Sequence, residues 1–366
     1  MSKSLGNGID PLDMIETYGA DAVRFTLAKL CAQGQDIKLD PTLFEGGRNF
    51  ANKVWNAFNV FGRFLETGEA GRPVADVRRQ RAFADLSLVE KWLLTRQAET
   101  VRAVDEALER YRVSEAAQLV YDFVWGDVCD WYLELAKPER DADGQPQAMD
   151  AETLAFAVEA FDGVLRLLHP FMPFLTEELW WKLRPHAPAD ALVAAAWPEP
   201  GETDAEAAAL FETVQALVTA VRQVRAQYNV PPSRPIAARV RVGGDEAGAT
   251  AAALESARAY VERLAGVGDL EIGVGLEKPP ASAAVVVDRH EVYVPLAGMI
   301  DLGVERDRLA KEIAAKRQFL GGVERKLRNE AFVTRAPEAV VAKEKQKAED
   351  ARAEIAALEA NLADLG

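Results

Sequence analysis

The sequence predicts a mainly α protein: a helical bundle, then a small α/β subdomain, then an antiparallel coiled-coil hairpin. Three observations predict it. Apolar residues recur at spacings of three and four through residues 42–200, as in helices that bury one stripe. Strand-like runs rich in Val, Leu and Ile cluster between Ala238 and Leu296. Two heptad-like runs flank Pro337.

Taken in order, Met1 to Gly8 is small, polar and glycine-bearing, hence a loop, and Asp10-Pro11 supplies an N-cap with proline at the first helical position. Leu12 and Ile15, stopped by Gly19, form a short helix. Asp21 is placed to cap a second one carrying Val23, Leu27 and Leu30. From Thr42 to Thr67 the stripe is Phe50, Val54, Phe58, Phe61 and Leu65, with Arg48, Asn49, Asn52, Lys53, Asn56 and Arg63 on the other faces. Helices follow at 86–111, 114–136, 151–168 and 173–184, interrupted by Asp141 to Pro146 and by Pro170 and Pro173. Short connections between them indicate an antiparallel bundle. An Ala-rich helix over 204–228 is ended by Pro231-Pro232-Ser233-Arg234-Pro235.

Strands are expected at 238–242, 270–274, 284–287 and 292–296, the last two forming a hairpin and the first two separated by a helix over 247–264. The final segment places Leu309, Ile313, Leu320, Val323 and Leu327 against Val341, Ala348, Ala351, Ile355, Leu358, Leu362 and Leu365, with Lys316 and Glu344 also on the seam. Gly321-Gly322 costs about 1 kcal/mol per residue relative to Ala, so either close helix contact or a bend is expected there. The chain thus divides into a loop with connecting helices (1–41), the bundle (42–200), the α/β subdomain (201–300) and the arm (301–366).

The chain has 366 residues, 49% of them hydrophobic, and a net charge of 43 minus 58, or −15. That length supports two or three cored domains. Two cysteines, Cys31 and Cys129, with three histidines, exclude a disulfide framework and a Cys-x-x-Cys zinc site, so folding without metal in a reducing compartment is expected. No run of about 18 apolar residues and no basic-then-apolar leader is present, which points to a cytoplasmic setting away from membranes. The acidic total argues against a generic nucleic-acid coat. Yet residues 1–63 hold seven basic and seven acidic side chains and residues 301–366 thirteen of each, so the deficit lies in the middle.

MSKSLGNGIDPLDMIETYGADAVRF (Met1 to Phe25) resembles the segment that begins with the KMSKS loop of class I aminoacyl-tRNA synthetases, and its Gly-Asn-Gly-Ile-Asp-Pro is most like the valyl enzymes. The resemblance continues through GRNFANKVWNAF (Gly47 to Phe58), DWYLELAKPE (Asp130 to Glu139), LHPFMPFLTEELW (Leu168 to Trp180) and YNVPPSRP (Tyr228 to Pro235). It ends in LRNEAFVTRAPEAVVAKE (Leu327 to Glu344), similar to the coiled-coil arm of that family. The resemblance implies an anticodon-binding bundle, a tRNA-binding arm, valine tRNA as partner and a monomer. In the complete enzyme it implies ATP with Mg and catalysis by positioned donors of the loop, here Lys3 with Ser2 and Ser4.

The family's first loop lysine would precede Met1, and no two of His169, His186 and His290 lie three apart as its other ATP signature requires. The chain alone is therefore expected to be inactive and to need no cofactor, the catalytic domain of the same enzyme being a missing partner. An equivalent region of an isoleucyl or leucyl enzyme, or a coiled-coil adaptor, is the alternative.

Two groups are candidate RNA contacts. On the Thr42–Thr67 helix, Arg48, Asn52, Lys53, Asn56 and Arg63 form either a solvated face or hydrogen-bonding contacts, with Phe58 or Phe61 as core or as stacking platforms. On the arm, Lys316, Arg317, Arg325, Lys326, Arg328 and Arg335 give residues 316–335 a charge of six minus two, or +4, around the hairpin tip. The resemblance tips both groups towards tRNA. Asp127 and Asp130, set among Trp125, Trp131 and Tyr132, are either a general-acid pair or part of a packed bundle.

Overall fold

The computed structural model describes residues 9–31, 39–68, 71–138, 146–299, 302–329 and 338–364, and it falls into two units, Met1–Phe211 and Glu212–Gly366. In the first, Asp10 caps α1 (Pro11–Tyr18) by accepting from Leu12 N at 3.0 Å, and Gly19 closes the helix at φ +91°. α2 (Ala20–Leu30) starts one residue later, which leaves Asp21 inside its first turn instead of ahead of it. The carboxylate caps another helix instead. It accepts from Phe174 N (3.2 Å) and Leu175 N (2.6 Å), closing the start of α8 (Pro173–Leu183), whose N-cap residue Met172 has no side-chain cap to offer. Burial pushes the Asp21 carboxyl above its ordinary value, against those two hydrogen bonds.

α3 (Leu43–Gly62) packs on α2 at close range because Gly47 has no side chain: a Cβ there would lie 2.6 Å from both Ala22 O and Thr26 Oγ1. Its expected stripe is buried throughout, Phe50, Val54 and Phe61 completely, and Phe44 joins them. α4 (Leu88–Glu109) opens on a capping box made by Ser87 and Glu90. The expected single helix over 114–136 is instead α5 (Val113–Asp122), a π-helix (Phe123–Tyr132) and α6 (Leu133–Ala136). Apolar spacing over ten residues reads almost alike for i→i+4 and i→i+5 pairing, so the change of register has no sequence signature. α7 (Ala151–Leu168), capped by Asp150, buries Phe156, Phe161, Leu165, Leu167 and Leu168.

α9 (Ala205–Gln227) runs across the division between the units. In the second unit a four-stranded sheet has the order β2-β1-β4-β3. β1 (Ile236–Arg241) and β2 (Val267–Gly273) are parallel and need a crossover, which α10 (Ala247–Ser256) and α11 (Arg258–Ala265) supply. The expected helix over 247–264 is thus broken at Ala257. β3 (Ser282–Val287) and β4 (His290–Pro295) form the hairpin, turning through Asp288 at φ +51°.

The arm is a helix pair, α12 (Leu302–Arg328) and α13 (Glu338–Asp364). Leu309, Ile313 and Val323 meet Val341, Ala348, Ala351 and Ile355 in its buried seam. Glu344 is buried there too, bonded by Lys347 (2.8 Å) and Lys326 (3.2 Å), and these hydrogen bonds hold its carboxyl below the ordinary value. Close contact does not explain Gly321-Gly322, since a Cβ on either would meet nothing within 4 Å, and α12 runs through both.

Gly321→Ala and Gly322→Ala should therefore each stabilise the arm by about 0.5–1 kcal/mol, seen as a later urea midpoint by circular dichroism. Asp150→Ala should cost about 1 kcal/mol at pH 7. Hydrogen bonds from Thr153 lower the Asp150 carboxyl in the folded chain, so its contribution is present above the unfolded value of about 3.9 and is lost as pH falls through the lower folded one. The gap between wild type and variant should close on that acid side; a gap that persists there would assign the cost to something other than the cap.

Candidate nucleic-acid interface

Burial of the α3 stripe turns the opposite face outward. Arg48, Asn52, Asn56, Asn59 and Arg63 follow one another at steps of four, four, three and four, and all are exposed. They make one row about 22 Å long at 1.5 Å per residue. Arg48 lies 5.4 Å from the Tyr18 ring and Arg63 5.0 Å from the Phe64 ring. Among the described residues no carboxylate forms an ion pair with either. The row can donate hydrogen bonds from two guanidiniums and three amides, and accept through the amide oxygens.

Lys53 does not share this row. Its Nζ lies 2.5 Å from Asp130 Oδ1 and 4.0 Å from the Trp125 ring. Beside it Tyr121 stacks on Trp125 (5.5 Å, 26°), and Lys29 sits 3.8 Å from the Tyr121 ring. Burial pulls the Lys29 ammonium below its ordinary value, only partly offset by Asp122. Lys29 and Tyr121 complete this cluster, while Arg96 serves a separate ion pair with Asp127. Sequence reasoning misses all three, because nothing local announces pairings separated by tens of residues.

The acid-pair reading fails on the same geometry. Asp127 is held by Arg96 at 3.1 Å and Asp130 by Lys53, so both carboxylates serve ion pairs within the bundle. Tyr132 is buried, which raises its phenol, and burial pushes the Cys129 thiol up to about 12. Phe58 and Phe61 are core residues packed edge-on against Phe161, which removes them as stacking platforms. His169 is a packed residue whose Nδ1 lies 2.8 Å from Thr176 Oγ1.

On the arm, most of the expected basic residues are engaged. Lys316 pairs with Glu354, Arg317 with Glu359 (2.6 Å), Lys326 with Glu344 (3.2 Å) and Arg328 with Glu324 (3.6 Å). Arg325 donates to Gly321 O at 3.1 Å. Lys316 and Arg317 are also not at the tip. They lie about 17–18 Å along α12 from Arg328 at 1.5 Å per residue. Ser2, Lys3, Ser4 and Arg335 lie outside the described residues.

Three family models match the chain: tRNA synthetases class I (I, L, M and V) over residues 1–40, the anticodon-binding domain of tRNA ligase over 90–242, and the valyl tRNA synthetase tRNA binding arm over 301–366. Valine–tRNA ligases from Syntrophotalea carbinolica and Thermotoga maritima are each 40% identical over 368 residues, and that from Bacillus subtilis is 37% identical over 367; each alignment takes in 100% of this chain. The chain belongs to the valyl-tRNA synthetase family. It spans 40%, 39% and 40% of the length of those three relatives, respectively, and corresponds to the region holding the anticodon-binding and arm domains. Among solved structures, a ternary complex of LeuRS, tRNA and LeuAMS from Agrobacterium radiobacter K84 aligns with 57% of this chain and 22% of that one, at 20% identity and a TM-score of 0.38.

If Lys53 and Asp130 form a working ion pair, a double-mutant cycle of Lys53→Ala and Asp130→Ala should give a coupling of about 0.2–1 kcal/mol, the range for partly exposed pairs. Urea unfolding of the four proteins measures it. Strict additivity would return Lys53 to the cations available to a ligand.

Proposed function

We propose that this chain docks valine tRNA for a valine–tRNA ligase, the enzyme that joins valine to its tRNA using ATP. The observation that carries the reading is the exposed α3 row, where Arg48 and Arg63 bracket Asn52 and Asn56 without a carboxylate partner among the described residues. Amides on a rigid helix suit the edges of unpaired bases, and flanking guanidiniums suit phosphates. The arm adds Arg317, Arg325 and Arg328 as phosphate contacts.

In the whole enzyme the partner of this region is the catalytic domain, which works with ATP and Mg, and Lys3 with Ser2 and Ser4 belongs to its ATP loop. The setting is cytoplasmic and the state monomeric; no helix among the described residues is long and apolar enough to cross a membrane.

The test is binding of valine tRNA and a non-cognate tRNA to the full chain across a salt series. Arg317→Ala/Arg325→Ala/Arg328→Ala should weaken both tRNAs by similar factors. It should flatten the slope of log affinity against log salt by roughly 0.7–0.9 for each phosphate no longer neutralised. Asn52→Ala/Asn56→Ala should instead narrow the gap between the two tRNAs, with about 1–3 kcal/mol at stake by analogy with well-made base contacts on DNA. A chain that binds neither tRNA overturns the reading; intact binding in the arm variant would make the arm a structural hairpin.

A further inference from the structure

α4 ends in a turn that carries the most exposed of the large apolar side chains among the described residues. Tyr111 is 83% exposed, and among those residues its side chain makes no hydrogen bond or ring contact. Its backbone sits at φ +58°, in the left-handed region, where a bulky side chain costs energy that glycine does not. Tyr111 N donates to Leu108 O (3.0 Å) and Arg112 N to Ala107 O (2.8 Å), the two bonds of a Schellman turn whose left-handed residue is ordinarily glycine or asparagine. α9 ends in the same pair of bonds, from Asn229 N to Ala226 O (3.2 Å) and from Val230 N to Arg225 O (2.9 Å), with Asn229 at φ +53°. α11 ends on Gly266 at φ +65°. Of these three ends, that of α4 carries an aromatic ring, and burial of that ring contributes almost nothing to the fold.

The ring stands among charges. Arg110 pairs with Glu106 at 2.6 Å and Arg112 with Glu115 at 3.3 Å, and all four side chains are more than half exposed. A stable protein interface buries about 1,000 Å² or more around an apolar centre. Of the sequence neighbours only Val113, 42% exposed, would add to such a centre, while Glu109, Arg110 and Arg112 are charged and exposed. An isolated ring between two guanidiniums suits a nucleotide better: the base offers a flat π face to the ring, and its phosphates can take the cations from exposed pairs that exchange at small cost. The turn also lies within residues 90–242, which match the anticodon-binding domain of tRNA ligase.

We propose that Tyr111 is a stacking platform for an unpaired base of bound tRNA, a contact apart from the α3 row and the arm. The proposal rests on the chain being a tRNA-docking region. The two turn bonds fix the backbone beneath the ring before RNA arrives, so little ordering is left to do on binding. Every base has a π face, so the ring holds cognate and non-cognate tRNA alike.

Tyr111→Gly separates binding from folding, because the two should not fall together. In the full chain it should keep or slightly raise the melting temperature, since relief of the left-handed side chain offsets the extra backbone freedom of glycine. It should weaken both tRNAs by about 5- to 150-fold, the factor that corresponds to about 1–3 kcal/mol for one stacked base. The slope of log affinity against log salt should stay at the wild-type value, because a stacked ring releases no counterions; Arg110→Ala/Arg112→Ala should instead flatten it. Tyr111→Phe keeps the ring and should bind as wild type does. A loss shared by Tyr111→Phe would make the phenol hydroxyl the contact and overturn stacking. If wild type binds no tRNA, the docking function and this contact fall together. If wild type binds and folded Tyr111→Gly binds equally well, this proposal alone falls and the ring is left to a protein partner.

Discussion

α3 cannot rotate about its axis without drawing Phe44, Phe50, Val54, Phe58 or Phe61 out of the interior. Each such side chain is worth about 1.5–3 kcal/mol when buried. That constraint sets both the core and the surface of the first unit. Gly47 lets α2 approach so closely that sliding is also blocked, because packed interiors tolerate few voids and few overlaps. With the helix held in rotation and translation, Arg48, Asn52, Asn56 and Arg63 have only one direction left to face. The base-reading role proposed for these amides requires this, since a base edge is discriminated only by donors and acceptors that do not move to suit the wrong one.

The same unit is tied together by one carboxylate used in an unexpected place. Asp21 satisfies two of the orphan N–H groups at the start of α8, and Arg24 adds a bond to Pro170 O at 3.1 Å. α2, the helix that follows α1, is thus fastened to the bundle by polar bonds at α8 and by van der Waals contact at α3. Two such different attachments make α2 a rigid link between the opening segment and the bundle that carries the α3 row.

How much of this is legible in the sequence depends on distance along the chain. The Asp10-Pro11 cap, the α7 limits, the α3 stripe and the arm seam rest on neighbours within four residues, and they lie where spacing puts them. Asp21 looks like a cap because a cap it is, but the helix it serves lies 153 positions away. The π register of Phe123–Tyr132 leaves no trace in apolar spacing, and it carries Asp127 and Asp130 to the cations that rule out an acid pair. Lys53 and Asn52 are adjacent in sequence, yet one serves the bundle and the other faces solvent. The residues assigned to ATP, and Arg335, lie outside the described segments, so for these the sequence remains the whole argument.

A chain with 15 excess negative charges can hold a polyanion only if its cations are not all spent internally. The arm pairs most of its own, yet those pairs are the kind that exchange readily. Arg317, Glu359, Lys316 and Glu354 are 39–64% exposed, and such pairs are worth about 0–1 kcal/mol. A phosphate can therefore replace a carboxylate partner at small cost, with the released acid returned to water. The α3 guanidiniums need no such exchange. In the proposed docking of tRNA, two modes of holding a cation would set two responses to salt: displacement on the arm and direct contact on α3. The overall acidity then acts as a filter, because polyanions that fail to meet these few points encounter only repulsion.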